Sequence, residues 1–164
     1  MRHTDTATTW ALIGSNGLTL LLAIALKWPL STLLWPYWAQ SMIIGYFSRK
    51  RMLALREFST AGMSMGDPGE PVPETDAGRR SVVRFFTLHY GFFHAGYLVF
   101  LLAQSKELAP LDWLGFAVAA LVFAWNHRLS FERHVEADTA IRQSLTRMML
   151  LPYLRVVPMH LAIM

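Results

Sequence analysis

Four histidines lie in or beside long apolar stretches of this chain: His89, His94, His127 and His160. An imidazole in such surroundings has three things to do. It ligates a haem iron or divalent metal through one ring nitrogen, relays a proton near neutral pH, or hydrogen-bonds two helices together. Neutral imidazole suits Cu, Fe and Zn alike, so haem and all three metals stay open as cofactors. Cysteine is absent, which removes thiolate sites, iron–sulfur clusters, disulfides and a thiol nucleophile at once. No Gly-rich phosphate loop or H-E-x-x-H motif occurs; no catalytic residue is assigned and enzyme activity is left open.

Spacing limits how these rings cooperate. His89 and His94 are five residues apart, which on a helix turns them about 140° away from each other. They cannot chelate one ion together, so each needs a partner from another helix: His89 with His127, and His94 with His160 or Arg155. The same four histidines are thus the candidate cofactor and metal ligands. Tyr37, Gln40, Tyr90, Asn126, Tyr153 and Arg155 are the polar groups expected around them. Arg155, between Pro152 and Pro158, either binds carbonyls freed in a broken helix or faces an anionic group such as a haem propionate. His134 and Asp138 are four apart, but a solvated charged face explains them better than a metal site. Gly91, Ala95 and Gly96 read as a close-packing surface.

The elements that must position these groups follow from composition. Of 164 residues, 54% are hydrophobic and only 16% charged, against roughly 25% charged in soluble proteins. The apolar residues gather in runs, so the expected fold is all-α, an integral membrane bundle of about five transmembrane helices. A span needs roughly 20 apolar residues to cross about 30 Å of hydrocarbon. Stretches 10–26, 30–47, 82–103, 108–127 and 148–164 meet or approach this, in a single membrane domain covering 1–164. Gly, Pro and acidic residues make 59–81 a flexible cytoplasmic loop without its own core. Val135, Ile141, Leu145 and Met148 give 128–147 the stripe of an amphipathic helix on the membrane surface.

Orientation follows from the basic residues. With the N-terminus cytoplasmic, Arg2, the seven from Arg49 to Arg84, and Arg128, Arg133, Arg142 and Arg147 fall inside, whereas the outer loops carry only Lys27 and Lys106. This bias places the chain in the inner (cytoplasmic) membrane, multi-pass, with its N-terminus inside. It also explains the +4 net charge without a nucleic-acid partner. The bilayer is the expected partner, with a homo-oligomer or a larger membrane complex as further assemblies. A signal peptide cleaved after Ala23-Ile24-Ala25 is the competing reading of the first span. Counting inward from the cytoplasmic markers, Gln40, His94 and Arg155 share a level about 12–15 Å deep; His89 is about 8 Å in and His160 about 20 Å.

Several short motifs resemble one family: Tyr37-Trp38, His89-Tyr90-Gly91, His127-x-x-Ser130-Phe131, and Pro152-Tyr153-x-Arg155 followed by His160. They are similar to those of a bacterial and archaeal family of small polytopic membrane proteins known only as a domain of unknown function. The resemblance spans 37–160 and implies a multi-helix membrane bundle, but brings no activity. The family often carries an acidic residue where this chain has Gln40, and its last helix continues further. A glutamine supplies neither a charged ligand nor a transferable proton. The leading functional expectation is a haem- or metal-binding site with a redox or electron-transfer role. A proton-coupled small-solute transporter and a non-catalytic membrane subunit or scaffold are the alternatives.

Overall fold

The computed structural model describes residues 29–66, 69–106, 108–154 and 156–157, and these are mostly helical. Helix α1 is Leu30–Ala54, α2 is Asp76–Ala103 and α3 is Pro110–Thr139. A short parallel pair, β1 (Phe58–Ser59) with β2 (Gln143–Ser144), precedes the brief α4 (Leu145–Leu150). The expected first span, 10–26, lies outside the described residues.

Local chemistry sets the helix ends. Thr75 begins α2, its hydroxyl accepting from the Gly78 N–H, with Asp76 in the first turn. In α3, Pro110 occupies the first turn and the Asp112 carboxylate accepts the Ala109 N–H at 2.8 Å. α1 runs through Pro36 without ending, although the proline removes one ladder bond and crowds the carbonyl one turn back.

α1 forms the middle of the layer and packs against α2 on one side and α3 on the other. Its two ends differ in character. At one, Trp35 lies 4.8 Å from Trp113 and 5.8 Å from Trp38, and its indole N–H donates to the Ser105 hydroxyl at 2.8 Å. At the other, polar groups form a cap. Arg51 pairs with Asp138 at 2.6 Å, Arg142 with Glu74 at 2.5 Å, and Arg79 with Asp76 at 2.8 Å while also donating to the Leu55 carbonyl.

Two described helices are long and apolar enough to cross a membrane: Asp76–Ala103 and Pro110–Glu132. Five spans are not found among the described residues. α1 is long, but Tyr37, Gln40, Ser41 and its basic end dilute its apolar character. The described part of the expected span 148–164 opens with the end of the six-residue α4 and a turn at Leu151 and Pro152, where proline interrupts the ladder; 158–164 lies outside the described residues. The separate surface helix 128–147 is also absent. α3 continues unbroken to Thr139, because charged side chains on an exposed helix cost the ladder nothing, and the chain then turns into β2.

The stretch 59–81 differs from a coreless loop. Thr60 and Val72 are buried with Phe58, and the Thr60 hydroxyl donates to the Val72 carbonyl at 2.6 Å. A Cβ at Gly78 would meet the Pro73 carbonyl at 2.1 Å, so glycine lets this segment fold onto the start of α2. Gly91 and Gly96, expected to pack closely, face open space instead.

Candidate functional site

The site grows out of the α1–α2 seam. Phe86, Tyr90, His94, Tyr97 and Leu101 recur at helical spacing on one face of α2 and are all buried. Opposite them α1 presents Leu34, Ser41 and Gly45. Ser41 and Gly45 are a pair of small residues four apart, the arrangement that lets two backbones approach in lipid. A Cβ on Gly45 would sit 2.5 Å from the Tyr90 ring. The space left by glycine is therefore filled by tyrosine, whose hydroxyl donates to the Ser41 carbonyl at 2.9 Å.

His94 lies one turn beyond Tyr90 and is 1% exposed. Its ring stacks on Tyr90 at 4.2 Å and meets the edge of Tyr97 at 5.8 Å. Nδ1 is 2.9 Å from the Tyr90 carbonyl; a carbonyl only accepts, so Nδ1 carries the proton. This fixes the tautomer and leaves Nε2 as the lone-pair nitrogen of the neutral ring. Nε2 is buried and has no hydrogen-bond partner among the described residues. Trp38 completes the seam by donating its indole N–H to the His94 carbonyl at 3.0 Å.

The other described histidines have different neighbours. His89 is exposed, with Nδ1 2.9 Å from the Tyr153 hydroxyl and its ring stacked on Phe85 at 5.2 Å. Tyr153 in turn meets the Tyr90 ring edge-on at 5.4 Å, so one tyrosine touches both histidine-bearing faces of α2. His127 faces α1 from α3, stacked with Phe47 at 6.0 Å and tilted against Phe123 at 4.5 Å. It lines a cavity of about 250 Å³ with Ser48, Arg51 and Ser130.

Tyr37 and Gln40 are half-buried on α1, and Asn126 is exposed on α3. His160 and Arg155, the expected partners of His94, lie outside the described residues. Among the described residues no three His, Asp or Glu side chains converge where they could hold a metal ion. The Asp138 carboxylate, read beside His134, is taken by Arg51.

Residue types alone did not single out Ser41 and Gly45, although their Ser-x-x-x-Gly spacing was a signal. Trp38 stood in the Tyr37-Trp38 motif, but nothing in the sequence paired its indole with the His94 carbonyl. In the cap, the Arg142 guanidinium, the Thr60 N–H and the Ser59 side chain hold the Glu74 carboxyl below its usual value.

Comparison with known proteins gives one match. The sequence model of a family of unknown function (DUF6498) fits residues 1–164. The chain belongs to this family. Membership agrees with the resemblance to an uncharacterised family and brings no activity with it. No curated protein and no solved structure matches the chain.

Proposed function

We propose that this member of the family is a multi-pass protein of the inner membrane, N-terminus cytoplasmic, that binds a haem or metal through His94 and uses it in electron transfer. The observation that carries the reading is the buried, unpartnered Nε2 of His94. An orphaned buried acceptor costs about 1–3 kcal/mol. A ring whose other nitrogen is held by a backbone carbonyl is the usual arrangement of an imidazole that ligates a metal. Haem suits a single imidazole better than a bare ion does, because the porphyrin supplies four of the ligands itself. His160 and Arg155 are the residues of this chain proposed to complete the site, with His89 and Tyr153 beside it. The basic cap and the tryptophan cluster at opposite ends support the membrane orientation.

The test is an absorption spectrum and elemental analysis of protein extracted in mild detergent, on wild type, His94→Leu and His89→Gln. A Soret band or stoichiometric metal is expected in wild type and His89→Gln and is lost in His94→Leu. Wild-type protein with neither signal overturns the proposal.

A second reading, a non-catalytic membrane subunit, is favoured by the hydrogen bonds themselves. Trp38 to His94, Tyr90 to Ser41 and Tyr153 with His89 all join separate segments, as polar groups do when they only hold helices together. Under that reading His94→Leu leaves assembly intact and removes an unsatisfied nitrogen, so thermal stability rises.

A further inference from the structure

A second site lies away from the histidines, where the cap meets α2. A cavity of about 710 Å³ opens between the 62–66 turn, the first turns of α2, and α4, within the size range of small-molecule sites. Its lining has two characters. Ser64, Ser81 and Thr146 contribute hydroxyls, while Met65, Phe85 and Met149 contribute apolar surface. The apolar side is continuous with an exposed stripe on α2, Phe85, Leu88 and Phe92, one face at helical spacing.

Three arginines stand next to the polar lining along the chain: Arg80 and Arg84 on either side of Ser81 in α2, and Arg147 after Thr146 in α4. All three are exposed and none forms an ion pair among the described residues, as is also true of Arg49 and Arg56 away from the cavity. Arg84 projects within about 60° of Ser81 on the helix. Guanidinium groups left without carboxylates beside a hydroxyl-lined cavity suit a phosphate ester, which arginine binds bidentately. The apolar stripe leading away from it suits an acyl chain.

We infer that this cavity binds the phosphate headgroup of an anionic glycerophospholipid of the cytoplasmic leaflet, its acyl chain lying along Phe85, Leu88 and Phe92. The inference rests on the membrane reading above but needs no cofactor at His94. The headgroup is held by Arg80, Arg84 and Arg147 with the Ser64 hydroxyl beside it, since the Ser81 and Thr146 hydroxyls already donate to Met65 and to the Ala61 carbonyl.

The full chain is to be purified in mild detergent, exchanged into phosphatidylglycerol or phosphatidylcholine, and its retained lipid counted by native mass spectrometry. Phosphatidylglycerol is expected to be retained at one per chain, and retention to fall at least tenfold in the Arg80→Gln, Arg84→Gln, Arg147→Gln triple variant. Ser81→Leu, which narrows the cavity at its polar wall and keeps every charge, is expected to lose the lipid as well. Equal retention of both lipids, or of phosphatidylglycerol in both variants, overturns the inference. Displacement of phosphatidylglycerol by millimolar glycerol 3-phosphate also overturns it, by assigning the cavity to a soluble phosphate ester. An alkaline wash of membranes from the expressing cells reports separately on insertion: a chain released by the wash fails the membrane reading, whereas a retained chain that binds no lipid fails only this one.

Discussion

The two sides of α1 are built differently. Toward α2 the seam is closed: 28% of the most apolar stretch of α2 is buried, and side chains from each helix reach the backbone of the other. Toward α3 the contact is just as extensive but shallower. None of the most apolar stretch of α3 is buried; its contacts include Trp113, His127, Phe131 and the Arg51–Asp138 pair, with a cavity of about 470 Å³ left between Phe47 and Leu121. Both helices are apolar enough to span, so internal burial does not account for the composition of α3. Leu111, Leu114, Val118 and Leu121 are exposed, and a surface of this kind needs lipid or another chain against it. Under the membrane reading apolar contact between helices yields little, and close approach and hydrogen bonds hold the seam toward α2.

The largest expected effect tests what lies against α3. Val118→Arg costs about 2.5–3.5 kcal/mol if that face meets the bilayer centre, read as a collapse of membrane yield and a lowered Tm in detergent. Unchanged yield and Tm would show that water reaches the face and would break the contrast. Next comes glycine. Gly45→Ala forces the Tyr90 ring to move and is expected to cost about 1–3 kcal/mol. Gly115→Ala in α3, where a Cβ meets nothing within 4 Å, is expected to raise stability by up to about 1 kcal/mol. Equal responses of the two variants in thermal unfolding would erase the difference between the sides.

A smaller effect is expected from Tyr153→Phe, which removes one hydrogen bond to His89 at about 0.6 kcal/mol and keeps the ring contact with Tyr90. The near-ultraviolet circular dichroism should survive while Tm falls slightly. The smallest concerns the cap. Because the folded Glu74 carboxyl titrates below its usual 4.5, its stabilisation is complete above that value and is lost as pH falls through the lowered one. Wild-type Tm should drop there more than Glu74→Gln does, and parallel acid curves for the two would remove the pair from the cap.

Much of the layer was readable as sequence, and the reasons are local. The apolar runs of α1, α2 and α3 identify themselves by length, and the 140° step between His89 and His94 is realised as one exposed ring and one buried ring. Helix ends were harder. α2 starts six residues before the apolar run because Thr75 and Asp76 make a capping sequence that hydropathy ignores. α3 outlasts its apolar run because nothing in 128–139 breaks a helix. Pairing of β1 with β2 was invisible, since two two-residue strands more than eighty positions apart leave no periodic trace. Within the site, Tyr90 stood out by residue type and the seat beneath it did not. A glycine announces an absence, and only the opposing ring says what fills it.

The bonds from Trp38 to the His94 carbonyl and from Tyr90 to the Ser41 carbonyl cross the seam in opposite directions. Sliding α1 along α2 by a single residue, about 1.5 Å, would break both together, so the pair behaves as one rigid pillar locked in height.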